Sequence, residues 1–214
     1  MFLQEMAMRI FLIRHGETDW NRERKVMGIG DVPLNENGRR MVSFLAEVLA
    51  HEGIGVIYSS TVARAMQSAE ILAERWGVEI VEEPGFNECR FENWVGMSFD
   101  ELRGSEDFEK YFLKPTESNF STSESISDIQ RRAVVGIERI ISEKRAENVA
   151  VVTHSDIIKP LLVHFLGMKL DDMHKFFIAN ASVTLIDMSG RFLRIPYINS
   201  APWKWQQVRV DTGS

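Results

Sequence analysis

The sequence predicts an α/β fold: a three-layer α/β/α sandwich whose sheet is mainly parallel, with an antiparallel edge near the C-terminus. Three observations carry this reading. Short β-branched apolar runs alternate with stretches of helical periodicity for most of the chain. The chain closes on two strand-like runs, 183–188 and 192–197, on either side of the hairpin-like turn Ser189-Gly190. No repeat of roughly 20 to 50 residues is visible, which removes solenoids and propellers.

The elements follow in order. Residues 8–13, with Ile10-Phe11-Leu12-Ile13, read as a buried strand, and a loop containing Gly28-Ile29-Gly30-Asp31-Val32-Pro33 comes after it. From Asn35 the pattern is helical, with Met41, Phe44, Leu45, Val48 and Leu49 on one face, ending near Gly53. Residues 54–58 form a second strand, and Ser59-Ser60-Thr61 supplies caps for a helix through Trp76. A third strand, 79–82, is stopped by Pro84-Gly85. Residues 86–125 are an irregular cap or insert with Trp94-Val95-Gly96, a helix over 99–112, and a Ser/Thr-rich stretch, 117–125. That stretch lacks apolar periodicity and reads as a solvated linker in preference to a substrate-covering lid. A helix resumes over 126–144, with Ile129, Val134, Ile137, Ile140 and Ile141 apolar. The strand 148–153 then leads through His154 into a helix from about Asp156 to Leu166.

At 214 residues the chain is long enough for one well-buried core, and it reads as a single domain, 1–214, with 1–7 as a tail. Its 44% hydrophobic and 26% charged content excludes disordered and fibrous classes. A formal net charge of -6 argues against partners such as nucleic acid or an anionic membrane. No apolar run approaches the ~18 to 20 residues that span a bilayer. The segment before Arg9 carries Glu5 and is too short in apolar residues to be a signal peptide, so the protein is expected in the cytoplasm. The single cysteine, Cys89, cannot form an internal disulfide and fits a reducing compartment. Trp203 and Trp205 either cover the sheet or contribute to a homodimer contact.

The chemistry concentrates in the turns after strands. Arg14-His15-Gly16 ends the first strand, Arg64 stands just inside the helix after the second, and His154 follows Val149-Ala150-Val151-Val152. A parallel sheet lines up the carboxyl ends of its strands along one edge, so these turns can converge. Two arginines and two histidines together make an anion pocket, to which Asn21 and the first amides of the following helices add hydrogen bonds. Arg64 in a helix's first turn opposes the helix dipole, a conflict that a bound phosphate would remove.

The ordered set Arg14-His15-Gly16-Glu17-Thr18 with Trp20-Asn21, Asp31-Val32-Pro33-Leu34 with Gly38-Arg39, Ser59-Ser60 with Arg64-Ala65 and Ser68-Ala69, and Val152-Thr153-His154 resembles the histidine phosphatase superfamily. Cofactor-dependent phosphoglycerate mutases belong to the same superfamily. The resemblance implies that His15 is a nucleophile that becomes phosphohistidine, and that Arg14, Arg64 and His154 hold the phosphoryl oxygens. Glu88, in Phe86-Asn87-Glu88-Cys89, stands where the family has its proton carrier, although Glu82, Glu83 and Glu92 lie close by. Thr18, Asn21, Gly28 and Ser155 are the expected substrate-binding residues. The implied activity is hydrolysis of a small phosphorylated substrate, with no cofactor and no metal. Glu17 is either a partner that orients Arg14 or His15 or a solvated loop residue. His51, His164 and His174 have no comparable neighbours and read as surface or packing residues.

Three departures from the family pattern are visible. Ser155-Asp156 follows the second histidine where glycine is usual; Asp156 reads as a helix cap, and turned inward it would repel a substrate phosphate. Met27 stands where glutamine is common, and Glu92 and Val95 replace a glycine and a glutamate near Trp94. A mutase needs extra cations and a sizeable lid after the acid, whereas residues 88–125 offer only Arg90, Arg103, Lys110 and Lys114 with a lone Pro115. A phosphomonoesterase is therefore expected ahead of a mutase-type phosphoryl transferase. A noncatalytic phospholigand-binding module and a metal-dependent hydrolase rank lower, the latter because two arginines oppose a divalent cation.

Overall fold

The computed structural model describes residues 8–204. Its elements run β1 (Arg9–Arg14), α1 (Asp19–Arg22), α2 (Glu36–Val48), β2 (Val56–Ser59), α3 (Ala63–Trp76), β3 (Glu79–Glu82), α4 (Phe99–Leu102), α5 (Glu106–Leu113), α6 (Ile126–Glu143), β4 (Asn148–Thr153), α7 (Ser155–Phe165), β5 (Val183–Asp187) and β6 (Arg194–Ser200). The six strands form one sheet in the order β3-β2-β4-β1-β5-β6. β1, β2, β3 and β4 are mutually parallel, while β5 pairs antiparallel with β1 and β6 antiparallel with β5. This is the expected sandwich with its antiparallel edge.

Side-chain alternation along the strands divides the core into two layers. Ile10, Leu12, Val149 and Val151 face Ile129, Ile137, Ile140, Ile158 and Leu162 of α6 and α7. Phe11, Ile13, Ala150 and Val152 face Val42, Leu45, Ala69 and Leu72 of α2 and α3. Helices thus cover both faces, so residues 149–152 of β4 are an unbroken apolar run, each buried valine contributing roughly 1.5–3 kcal/mol. Among the described residues no helix is long and apolar enough to cross a membrane.

Several local expectations change. The helix expected over 99–112 is two helices, because Gly104 takes φ 86° and Ser105 caps α5 afresh through Phe108 N. The caps expected from Ser59-Ser60-Thr61 do not cap α3. Val62 holds the N-cap position without a side-chain bond, and Ser60 Oγ instead meets His154 Nε2 at 2.8 Å. Asp156 is no helix cap either: His154 occupies that position and Asp156 lies inside the first turn of α7. The Ser/Thr-rich stretch is not simply solvated. Ser121, Thr122 and Ser123 close around the Glu92 carboxylate, and these bonds, Ser123 first, hold it down to about 2. Phe120 beside them is fully buried. The turn expected at Ser189-Gly190 widens into a loop between Asp187 and Arg194. Trp203 is tied within the chain by Nε1 donating to Asn180 O at 3.0 Å, and Trp205 lies outside the described residues.

The loop after His15 lies backbone to backbone on the first turn of α2. A Cβ on Gly38 would stand 2.1 Å from Glu17 O, and one on Gly16 would stand 2.6 Å from Gly38 O. Glu17 pins the same contact: its Oε1 accepts from Asn35 Nδ2 and Asn37 Nδ2, both at 3.0 Å. It therefore anchors the loop and orients neither Arg14 nor His15. Gly38→Ala is expected to cost about 1–3 kcal/mol through this backbone clash, read as a lower urea midpoint at an unchanged slope.

Candidate active site

The sheet register brings the site together. Arg14 pairs with Thr153 and Ser59 with Val152, so the residues that follow β1, β2 and β4 leave the sheet at one edge. Because β5 runs antiparallel, with Val183 opposite Ile13, residues 180–182 reach the same edge from the other direction. Ala181 N donates to the carbonyls of Arg14 and His15, both at 3.1 Å, in a left-handed conformation at φ 48°.

His15 is fully buried. Its Nδ1 lies 2.6 Å from Gly16 O, and a carbonyl can only accept, so Nδ1 carries the proton. Nε2 is left with its lone pair, which accepts from Arg64 Nε at 3.2 Å. Burial, then the Arg64 and Arg14 charges, push the imidazole well below its usual range, which keeps the ring neutral. Neutral, with a lone pair on the nitrogen facing a guanidinium, the ring is set up as a nucleophile toward a group that the guanidinium also binds.

Arg64 is fully buried too. Its Nη2 donates to Gly28 O at 2.8 Å and stands 3.7 Å from Glu88 Oε2. Burial lowers its pKa to about 10, still charged at neutral pH. Arg14 is partly buried, with Nη1 donating to Ile178 O at 2.5 Å and Nε without a partner. His154 is buried against His15, ring centroids 5.2 Å apart, and burial followed by Arg64 keeps it neutral as well. Its Nδ1 has no hydrogen-bond partner and lies 3.6 Å from Glu88 Oε2. Glu88, 7% exposed, accepts from Cys89 N at 3.0 Å. Burial and the Asp156 charge outweigh Arg64 and raise it to about 7, where a carboxyl can both give and take a proton.

The expected substrate-binding residues divide. Asn21, Gly28 and Ser155 line the cavity that opens from Arg14 and Glu88. Thr18 does not: it is fully buried, caps α1 through Asn21 N, and donates to Met27 Sδ at 3.2 Å. The Oδ1 of Asn21 accepts from Thr18 and from Asn180 Nδ2, so what Asn21 has left for an anion is its amide hydrogens. Gly28 takes φ 53° and packs against Arg90 O, a conformation and closeness that a side chain would not allow. No side chain caps α7, which leaves the amides of Ser155 and Asp156 for an anion, Ile157 N already donating to His154 O.

Sequence reasoning missed several residues. Asn180 Nδ2 spans His15 O and Gly16 O, and Ser60 with Asn87 orients His154. Asp156 points inward, paired with Lys159 at 3.1 Å, and Lys159 Nζ in turn donates to His174 Nδ1 at 3.3 Å. His174 is thus part of the cavity lining and not a bystander. The antiparallel start of β5 is the one signal that pointed to residue 180. Among the described residues no group of three His, Cys, Asp or Glu side chains could share a metal ion. Four buried side-chain polar atoms there lack partners: Arg14 Nε, Tyr111 Oη, His154 Nδ1 and His174 Nε2. All four belong to residues of this cluster or of the cavity it opens into.

Comparisons with known proteins show the family to which the chain belongs. Residues 10–201 match the model of the histidine phosphatase superfamily (branch 1). Phosphoserine phosphatase 1 of Hydrogenobacter thermophilus is 29% identical over 86% of this chain and 88% of its own. A probable phosphoglycerate mutase, GpmB of Yersinia pestis, is 28% identical over 84% of this chain and 85% of its own. Among solved structures, a mutant phosphoserine phosphatase of Entamoeba histolytica in complex with phosphoserine superposes with a TM-score of 0.80 at 27% identity, covering 91% of this chain and 98% of that one. YhfR of Bacillus stearothermophilus superposes with a TM-score of 0.82 at 29% identity, covering 90% and 97%.

Carbon-13 NMR of the glutamate carboxyls is expected to show Glu88 titrating near 7. Asp156→Asn removes a negative charge that favours the protonated form, so the midpoint is expected to fall.

Proposed function

The chain belongs to the histidine phosphatase superfamily and is a phosphomonoester hydrolase, and we propose that it works through a phosphohistidine formed at His15. The observation that carries this is the lone pair of His15 Nε2, held on a neutral ring 3.2 Å from the Arg64 guanidinium.

In the first step a phosphoryl oxygen replaces Nε2 as the acceptor for Arg64, and the freed lone pair attacks phosphorus in line with the ester oxygen. The P–O bond breaks as the N–P bond forms, and the Glu88 carboxyl gives its proton to the departing alkoxide. Arg14, Arg64, His154 and the first amides of α7 hold the three equatorial oxygens, where charge accumulates. In the second step the Glu88 carboxylate takes a proton from water, the water oxygen attacks phosphorus, and the N–P bond breaks. Neutral His15 and inorganic phosphate result.

Glu88 must be protonated for the first step and ionised for the second, and a group titrating near neutrality serves both. The acceptor is water; the two lysines that line the cavity, Lys25 and Lys159, are paired with Glu23 and Asp156 and so are not set out to retain a doubly charged acid as a mutase would. The free, buried thiol of Cys89 fits a reducing compartment such as the cytoplasm.

His15→Ala is expected to abolish phosphate release from small phosphomonoesters, measured by steady-state assay with and without a chelator, which should change nothing. Release at the normal rate by the variant would sink the mechanism. Glu88→Gln should slow phosphoenzyme formation from alkyl esters by roughly 10² to 10⁴. In the unaltered protein that step should fall as pH rises through about 7, because Glu88 then loses the proton it donates.

A further inference from the structure

Beyond the phosphoryl pocket lies a cavity of about 410 Å³, roofed by residues of the irregular cap. Its walls include Trp20, Phe91, Trp94, Phe99, Phe108 and Phe112. The cap rings brace one another: Phe91 and Trp94 stack at 6.0 Å, Trp94 meets Phe108 edge-on at 5.7 Å, and Phe108 meets Phe112 at 5.0 Å. At the mouth, Phe112 is 39% and Phe177 69% exposed, so apolar surface continues out to solvent. The volume falls in the roughly 300–1,000 Å³ range of cavities that enclose a whole organic ligand, and a leaving group of a few heavy atoms would fill little of it.

The charges lining the cavity are largely matched. Lys159 pairs with Asp156 at 3.1 Å and Lys25 with Glu23 at 2.7 Å, while Arg24 lies over the Phe99 ring at 5.8 Å. A carboxylate on the leaving group would meet Asp156 and find its lysine already engaged. Tyr111 and His174, rings 4.7 Å apart, close the same wall, with the Tyr111 hydroxyl turned toward Asp156 and buried from the cavity. His174 Nδ1 receives the Lys159 ammonium, so Nε2 carries the N–H and is a donor.

We infer that this cavity takes the alcohol part of a phosphomonoester built on a flat, uncharged aromatic ring system. The ring lies between the cap aromatics. Small phosphorylated hydroxy or amino acids are poor substrates by comparison. This assignment rests on the phosphatase reading of the catalytic cluster.

The test compares 2-naphthylmethyl phosphate with O-phosphoserine, both esters of primary alcohols, so the chemistry at phosphorus is matched. The expected kcat/KM favours the naphthylmethyl ester by at least ~10-fold, the effect of burying one apolar ring. Phe112→Ala should narrow that preference several-fold, mainly through KM; Phe177→Ala, at a still more exposed ring, serves if the first variant does not fold. Equal or better turnover of phosphoserine, or a preference that neither variant alters, overturns the assignment while leaving the phosphatase reading intact. If neither ester is turned over, that reading fails instead, and calorimetry on the His15→Ala protein decides for the cavity. Tighter binding of the naphthylmethyl ester supports the assignment; equal or weaker binding overturns it.

Discussion

A guanidinium buried with its nearest carboxylate beyond hydrogen-bonding distance is the constraint on which the site depends. Arg64 has no exposed surface, and its nearest negative group, Glu88, stands at 3.7 Å, beyond hydrogen-bonding distance. Taking such a charge out of water costs several kcal/mol even after relaxation, and two carbonyl contacts offset only part of that. The fold accepts the cost because α3 is held on the sheet by Ala65, Ala69 and Leu72, all fully buried. The consequences spread from there: burial first, and this charge second, keep both histidines neutral, and the guanidinium aims an N–H at His15 Nε2. In the proposed mechanism an arriving phosphoryl group supplies a closer anion, so that binding and activation of the nucleophile are one event.

Glu88 completes the balance. Burial and Asp156 push its proton affinity up, while Arg64 and Arg14 pull it down. Asp156, turned inward, is neutralised on one side by Lys159, so its repulsion of a phosphate is blunted while its influence on Glu88 remains. The same carboxylate thus works on the acid and shapes the chamber beyond it. The phosphoryl end of the cavity is built from strand-end turns, and the other end from the aromatic residues of the cap. In the proposed reading, reaction type and substrate choice are set by different parts of the chain.

Much of this was legible in the sequence, for reasons that differ by residue. β4 announced itself because a strand covered on both faces must be apolar throughout, and His154 followed because a parallel strand's carboxyl end is where such a sheet exposes its chemistry. Arg64 was conspicuous as a cation in the wrong turn of a helix. What stayed hidden depended on contacts across the fold. Thr18 looked like a ligand-facing hydroxyl but is consumed by the cap of α1. Ser60 looked like a cap but bonds His154, a residue distant in sequence. The break at Gly104 falls inside a periodic apolar pattern that α4 and α5 share, so periodicity alone could not divide them. Asn180 sits just ahead of β5, whose antiparallel direction, once known, brings it to the site.

The central claim is that His15 Nε2 bonds covalently to phosphorus. Rapid quench of the protein with a phosphorus-32-labelled phosphomonoester, followed by peptide mass spectrometry under alkaline conditions, tests it directly. The account predicts label that builds up within the first turnover, survives alkali, is lost in acid and maps to the peptide bearing His15. Turnover with no such adduct, or with label on another residue, would contradict it.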